Sequence, residues 1–192
     1  MSLILASNSQ IRRSMLEQAG IDFSVRPPDF DEDAVKAAGL DGESLALRLA
    51  EGKASSILVG QDDWVIGSDS TLTVDGTRYS KPRTREDAAT HLRIFSGRTM
   101  LLSSAVALAN QRQVGWSHGE TAVLEVRRLS EEFIQSYLDR EWPEVGYCVG
   151  VFRMEGRGVT LFDRVEGSHF TILGMPLLPL LGALRERGII EP

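Results

Sequence analysis

Apolar and polar residues alternate along this chain with two different periods. Residues 3–6, LILA, form a short apolar run that predicts a first strand. The next apolar residues have the spacing of one helix face, at Ile11, Met15, Leu16 and Ala19. Because Gly20 suits the left-handed turn that commonly ends a helix, a helix is predicted over residues 11–19.

The rest of the chain divides into further strands and helices by the same reasoning. Strands are predicted at residues 21–25, 64–74, 99–109, 120–126, 159–162 and 170–173, and helices at residues 43–58, 84–94, 130–138 and 176–187. The acidic segment Pro27–Asp33 is predicted to be a loop, and Asp75-Gly76 a hairpin turn. Without a repeat or long linker, this order predicts a mixed α/β fold, and 192 residues suit a single domain spanning residues 1–192.

Composition narrows the class of protein. Cys148 is the only cysteine, so no intramolecular disulfide can form, and a reducing cytoplasm is the predicted location. No signal peptide is recognised, and no apolar run reaches the roughly 18 residues of a membrane helix, so no membrane partner is expected. The net charge of −6 argues against binding a nucleic acid polymer. Basic residues occur singly or in pairs beside turns, which suits a small anion such as phosphate.

The first strand-to-helix turn carries two hydroxyls and two guanidiniums. Ser7 and Ser9 lie where a helix would present free N–H groups and its positive dipole end, and Arg12 and Arg13 could donate to phosphate oxygens. The alternative is that Ser9 only caps the helix and the arginines form a solvated helix face. The turn is therefore either an anion site or an ordinary helix start.

Asp69 interrupts the apolar strand 64–74, where aspartate is disfavoured. A carboxylate there could act as a general base or hold Mg²⁺, although SDS also resembles a turn. Lys53 lies within a predicted helix, and Lys81 precedes a proline that keeps it extended. Each lysine alone is more often a surface residue, and Glu32 in the acidic segment is more often solvated than metal-bound.

The histidines, the cysteine and the tryptophans have simpler explanations. His91, His118 and His169 lack the spacing of a zinc site, so structural roles are predicted. Cys148 is predicted to be a small core or surface residue, since no histidine lies near it in sequence. The tryptophans are predicted to pack in the fold, because no basic residues are interleaved with them as on a base-stacking surface.

Taken together, eight segments resemble the Maf family of nucleoside triphosphate pyrophosphatases: SNSQIRR, DED, AEGKA, VIGSD, SKP, SGRT, MEGRG and RVEGSHFTILGMPL. The resemblance runs from Leu3 to about Leu181. It implies an elongated central sheet flanked by helices and a cleft between two lobes. It also implies hydrolysis between the α and β phosphates with Mg²⁺ or Mn²⁺, a homodimer, and a role in removing modified nucleotides or in cell division.

Family roles carried onto this sequence make Asp69 the proton acceptor, close to the metal. Ser7, Ser9, Arg12 and Arg13 match the phosphate-side motif, with Arg12 tied to substrate choice. Lys53 and Lys81 match residues that would balance phosphate charge, and Glu32 one that would bind metal or water.

Three positions bear on how far the family's properties carry over. Ser70 falls where a pyrimidine-preferring subgroup has threonine, and Glu155 replaces a glutamine associated with base selectivity. Since an ionised glutamate only accepts hydrogen bonds, base preference could differ here. Gln10-Ile11 also stands where the family motif often has a proline.

Two other functions share most of these residues. A nucleotide-binding regulator of cell division would bind triphosphates without turnover. A phosphatase acting on the terminal phosphate would release orthophosphate. Release of pyrophosphate separates the pyrophosphatase from both.

Overall fold

The computed structural model describes residues 2–191, which form one seven-stranded sheet with helices around it. The strands are β1 (Leu3–Ala6), β2 (Ser24–Arg26), β3 (Trp64–Val74), β4 (Thr77–Tyr79), β5 (Thr99–Asn110), β6 (Gln113–Val126) and β7 (Phe162–Glu166). The α-helices are α1 (Gln10–Gln18), α2 (Glu32–Lys36), α3 (Gly42–Ser56), α4 (Arg85–Phe95), α5 (Glu131–Glu141), α6 (His169–Ile172) and α7 (Leu177–Glu186). Short 3₁₀ helices span Glu144–Tyr147 and Arg157–Leu161. The predicted mixed α/β fold is confirmed.

Strand directions in the sheet are mixed. The order is β2-β1-β3-β5-β6-β7, and β4 pairs with β3. Strand β1 is parallel to both β2 and β3, with Ala6 opposite Gly67. The β3–β4 and β6–β7 pairs are antiparallel. Because β1 and β3 run in the same direction, the residues that follow Ala6 emerge beside the segment that contains Asp69.

The chain forms two compact units. The first comprises residues 1–70, 103–120 and 168–192, and the second residues 71–102 and 121–167. The single domain expected over residues 1–192 stays a prediction. Within residues 2–191, no helix is long and apolar enough to cross a bilayer.

Strand β5 shows how the first unit is layered. Its side chains alternate between the two faces of the sheet, as strand geometry requires. On one face Val106 and Leu108 pack with α1 and α7 through residues such as Leu16 and Leu180. On the other face small side chains pack together, at Ala46, Ala50, Ala54, Ala105, Ala107 and Ala109. Helix α3 therefore lies close against the sheet.

Gly67 of β3 shows how close this approach is. A Cβ atom at this position would lie 2.2 Å from the Ala50 carbonyl oxygen and 2.4 Å from the Ala54 nitrogen. Both are backbone atoms of α3, so neither can move aside as a flexible side chain would. Glycine is needed here for the helix to contact the strand.

In the second unit α4 packs against α5. Thr84 caps α4, with its side chain accepting a hydrogen bond from the Asp87 N–H, as the sequence predicts. The Arg85–Asp139 and Arg93–Glu131 ion pairs, both 2.6 Å, connect the two helices at the surface.

Several local predictions are wrong. Residues 170–173 lie in and just after α6 instead of forming a strand, since four residues are too few for periodicity to separate the two. The strand predicted at residues 159–162 is mostly a 3₁₀ helix, and β7 begins at Phe162. Ala19 is exposed, and the buried face of α1 instead includes Arg12.

Other boundaries also differ from the predictions, and β2 begins at Ser24 instead of residue 21. Strand β6 begins at Gln113, not residue 120, because Gln111 and Arg112 form a tight turn with φ of 47° and 67°. These residue types rarely adopt positive φ, so the turn has no sequence signal. The loop predicted over Pro27–Asp33 ends early, because the Asp31 side chain accepts the Asp33 N–H and starts α2 at Glu32.

Substituting Gly67→Ala is expected to destabilise the protein by at least about 2 kcal/mol, because the new methyl group would overlap the α3 backbone. Gly182→Ala is the matched control, since Gly182 lies within α7 and, apart from its chain neighbours and the adjacent backbone of that helix, no atom is within 4 Å of the place where the methyl group would lie. That substitution should be neutral or stabilise by up to about 1 kcal/mol. Urea unfolding of both variants measures the difference, and equal stability would contradict the close packing of α3.

Candidate functional site

Lys53 lies at the centre of a partly buried cluster of charged side chains in the first unit. The residue is only 8% exposed. The Nζ atom is 2.9 Å from Asp69 Oδ1 and 2.9 Å from Glu32 Oε1. Lys36 Nζ is 2.6 Å from the other oxygen, Oε2, of Glu32. One ammonium group thus joins two carboxylates that are far apart in sequence.

Close packing of α3 determines the position of Lys53. The alanines of α3 contact the sheet, and Gly67 allows the helix backbone to reach β3. Lys53 extends from this helix to Asp69, two residues beyond Gly67 on the same strand. The Asp69 carboxylate is therefore held by a side chain of α3, and α3 packs tightly against β3, the strand that contains Asp69.

Phe30 and Asp31 position the second carboxylate. A Cβ atom on Gly52 would lie 2.2 Å from Phe30 Cζ, so the Phe30 ring lies directly over Gly52 on α3. Asp31 then caps α2, and Glu32 is the first residue of that helix. Since Gly52 is adjacent to Lys53, this contact brings Glu32 to the lysine.

The cations around Glu32 keep it ionised. Burial raises the pKa of the Glu32 carboxyl, but hydrogen bonds and charge from Lys36 and Lys53 outweigh it and lower the pKa to about 2. For Lys36, burial lowers the pKa, but the Glu32 partner raises it above the ordinary value. Both groups are charged at neutral pH.

All three side-chain nitrogen atoms of Arg12 donate hydrogen bonds within the protein. The residue is 9% exposed. Its Nε donates to the Gly174 carbonyl at 2.9 Å and its Nη1 to the Ser68 carbonyl at 2.9 Å. Its Nη2 donates to Ser70 Oγ at 3.1 Å and lies 4.0 Å from Asp69 Oδ1. Burial lowers the pKa of Arg12, while the charges of Asp69 and Glu32 oppose this effect.

The start of α1 agrees only in part with the interpretation of this turn as an ordinary helix start, and the anion-site interpretation stays a prediction. Ser9 occupies the cap position, but its side chain makes no capping hydrogen bond. Instead the Ser9 N–H donates to Ser7 Oγ at 3.1 Å, and Ser7 is buried. Arg13 is exposed and pairs with Glu17 at 2.7 Å. An open concavity of about 440 Å³ includes Ser7, Ser9 and Arg13 in its lining.

Lys81 and Glu155 lie in the second unit. Glu155 is exposed and pairs with Arg153, with Arg153 Nε 3.3 Å from its Oε1. Both Lys81 and Glu155 are close enough to the Cys148 thiol to influence it electrostatically. Burial raises the pKa of Cys148 to about 11, with the Glu155 charge adding to the effect and Lys81 and Arg153 opposing it.

The structure joins five of the predicted site residues by hydrogen bonds or ion pairs, namely Arg12, Glu32, Lys53, Asp69 and Ser70. The sequence did not predict Lys36 as a partner of Glu32, or the hydroxyls of Ser68 and Ser104 beside the arginine. One signal existed, because Ser103-Ser104 interrupts an otherwise apolar buried strand. The catalytic and binding roles of all these residues stay predictions.

The carboxylates of Asp69 and Glu32 are better suited to a metal ion that binds together with a phosphate ligand than to one held by the protein alone. Among residues 2–191, no group of three or more Asp, Glu, His and Cys side chains could hold a metal ion. Asp69 and Glu32 do share the Lys53 ammonium, so their carboxylates face a common position. Mg²⁺ commonly takes one or two carboxylates and completes its shell with water and substrate phosphate oxygens. Asp69 and Glu32 fit that pattern.

Comparison with known proteins identifies the family. The family model for Maf-like proteins matches residues 2–187. The chain belongs to the Maf-like family. The resemblance found in the sequence motifs is thereby confirmed over nearly the whole chain.

Relatives and a solved structure agree with this membership. The Maf-like chain is 47% identical over 191 residues to a nucleoside triphosphate pyrophosphatase of Granulibacter bethesdensis, with 97% of each chain covered. It is 43% identical over 194 residues to a 7-methyl-GTP pyrophosphatase of Rhizobium etli, with 98% of each covered. The structure of the Staphylococcus aureus Ham1 protein has the same fold, with a TM-score of 0.52 at 18% identity, covering 97% of this chain and 98% of that one.

Cys148 should react slowly with iodoacetamide at neutral pH, because burial disfavours the thiolate that reacts. The pH profile of alkylation should have its midpoint near 11 in the folded protein, against an ordinary value of 9.0 after unfolding in urea. Glu155→Gln should lower the folded midpoint, because it removes a negative charge beside the thiol. A folded midpoint near 9.0 would contradict this environment for Cys148.

Proposed function

We propose that this Maf-like protein hydrolyses nucleoside triphosphates between the α and β phosphates, releasing pyrophosphate and the nucleoside monophosphate. The observation that carries the proposal is the Asp69 carboxylate held by the buried Lys53 ammonium at 2.9 Å, beside Glu32. The full-length relatives whose names state pyrophosphatase activity support the same reaction.

Charge in the cluster favours an anionic substrate. Arg12, Lys36 and Lys53 face the carboxylates of Glu32 and Asp69, so cations exceed carboxylates by one. A triphosphate approaching this cluster meets ammonium and guanidinium groups that can balance its charge. The Ser9 side chain does not cap α1, so the first N–H groups of this helix, beside Ser7 and Arg13, offer further donors to phosphate oxygens.

In this proposal Asp69 accepts the proton of the attacking water. The carboxylate acts as a base in its ionised form, and Lys53 Nζ and Arg12 Nη2 lie 2.9 Å and 4.0 Å from its Oδ1. Lys53 also orients the carboxylate, because Oδ1 is the atom bonded to Nζ. Lys53 and Lys81 are proposed to balance charge that develops on the phosphates.

Asp69 and Glu32 would hold the Mg²⁺ or Mn²⁺ ion that the family resemblance implies. The ion would supply charge neutralisation on the phosphate oxygens. Lys53 would keep the two carboxylates together before the substrate binds. With these roles, the metal site would be incomplete until a substrate phosphate binds.

A direct comparison of substrates would establish which nucleobase the enzyme prefers. The name of the Rhizobium etli relative specifies 7-methyl-GTP, whereas that of the Granulibacter bethesdensis relative is general. Arg12, Ser70 and Glu155 are proposed to influence this choice. The homodimer, the cytoplasmic location and the lack of nucleic acid polymer binding stay predictions from the sequence.

Asp69→Asn should lower the rate of pyrophosphate release by about 10²- to 10⁴-fold, because the amide cannot accept the proton. The assay measures pyrophosphate and orthophosphate separately, with a panel that includes 7-methyl-GTP, dTTP and UTP and with Mg²⁺ or Mn²⁺. Asp139→Asn is the matched control, since it removes an exposed carboxylate from the second unit and should leave the rate unchanged.

Two results would overturn the proposal. Orthophosphate as the first product would indicate attack on the terminal phosphate. Tight binding of triphosphates without release of either product would indicate a nucleotide-binding regulator. Circular dichroism of both variants checks that any loss of rate is not a loss of fold.

A further inference from the structure

A guanidinium and two hydroxyl groups form a line beside the charged cluster. Arg12 Nη2 is 3.1 Å from Ser70 Oγ, and Ser70 Oγ is 2.8 Å from Ser104 Oγ. Ser104 Oγ is in turn 2.8 Å from the carbonyl oxygen of Thr171. All four residues belong to the first unit.

The bond from Ser104 to the Thr171 carbonyl sets the direction of the other bonds in this line. A carbonyl oxygen can only accept, so the single hydroxyl hydrogen of Ser104 points to Thr171. Ser104 Oγ must then accept from Ser70, whose own hydrogen is used in that bond. Ser70 Oγ is left as an acceptor for Arg12 Nη2. The order of donation is therefore Arg12 to Ser70 to Ser104 to Thr171.

Ser70 has one competing acceptor. The Gly174 carbonyl oxygen lies 3.2 Å from Ser70 Oγ, longer than the 2.8 Å contact with Ser104. That carbonyl already accepts from Arg12 Nε at 2.9 Å. Ser104 thus decides which way the Ser70 hydroxyl points, and removing it would release that hydrogen toward Gly174.

The Thr171 carbonyl does not need Ser104 as a partner. It also accepts the Gly174 N–H at 3.0 Å, so it stays hydrogen-bonded when the Ser104 hydroxyl is removed. Ser104 is itself fully buried on a largely apolar strand. A buried hydroxyl in such a strand is destabilising unless it is hydrogen-bonded. Because the Thr171 carbonyl has another donor, the contact that depends on Ser104 is the one with Ser70.

We propose that Ser104 is a positioning residue that orients Arg12 beside Asp69 by fixing the direction of the Ser70 hydroxyl. Arg12 Nη2, the atom bonded to Ser70, is also the atom 4.0 Å from Asp69 Oδ1. A shift of the guanidinium changes the field at the proposed base without removing any charged group. This inference rests on the proposed pyrophosphatase function for its effect on the rate.

The kinetic test is Ser104→Ala, alone and in a Ser70→Ala background. The single variant should lower kcat for pyrophosphate release about five- to tenfold, the size expected for one lost hydrogen bond, with KM nearly unchanged. In the Ser70→Ala background the same substitution should change kcat less than about twofold, because Ser104 acts through Ser70. Equal effects in both backgrounds would overturn the inference.

Ser96→Ala is the matched control for loss of a serine hydroxyl. Ser96 Oγ accepts a hydrogen bond from the Leu129 N–H at 2.8 Å, and both residues lie in the second unit. This variant should lose stability in urea unfolding and keep its kcat. A fall in kcat that matches that of Ser104→Ala would assign the effect to stability alone and overturn the inference.

A second readout does not depend on activity. In NMR spectra with ¹⁵N-labelled arginine, the Arg12 Nε–H should exchange with solvent slowly, because it is buried on the Gly174 carbonyl. Ser104→Ala should speed that exchange about fivefold, by loosening the guanidinium, while Ser96→Ala leaves it unchanged. An unchanged Arg12 exchange rate in Ser104→Ala overturns the positioning role. Absence of pyrophosphate release in the unmodified protein would instead overturn the proposed function.

Discussion

A buried lysine between two carboxylates is the interaction on which the candidate site depends. An ammonium group removed from water is destabilising unless opposite charges compensate it, and Lys53 has two carboxylate partners, Asp69 and Glu32, at 2.9 Å. The same argument holds in reverse for the carboxylates. Two negative groups repel each other, so Asp69 and Glu32 need the cation between them to share one site.

Packing of small residues makes this arrangement possible. Glycine at position 67 and alanines along α3 let the helix backbone touch the sheet, which fixes the base of the Lys53 side chain. Gly52 gives room for the Phe30 ring, which anchors the start of α2 and Glu32. The residues without side-chain chemistry therefore determine where the charged ones meet.

The sequence predicted those features that depend on local pattern. The helix containing Lys53, the long strand through Asp69, the Thr84 cap and the Asp75-Gly76 turn each follow from nearby residues, and all are confirmed. Features that depend on residues distant in sequence were not predicted. The burial of Arg12 is one example, because its three partners, Ser68, Ser70 and Gly174, come from β3 and from the turn after α6. The Gln111-Arg112 turn was missed for a different, local reason, because these residue types have no preference for the positive φ that they adopt there.

A double-mutant cycle on Lys53 and Asp69 tests most directly whether ion pairing allows Lys53 to be buried in this cluster. The free energy of unfolding would be measured for Lys53→Met, Asp69→Asn and the double variant at neutral pH. Lys53→Met should destabilise the protein by about 3 kcal/mol, because it leaves the Asp69 carboxylate without its nearest cation. The double variant should be more stable than Lys53→Met alone, because the amide needs no cation. Additive losses within about 0.5 kcal/mol would contradict the account, since independent residues give that result.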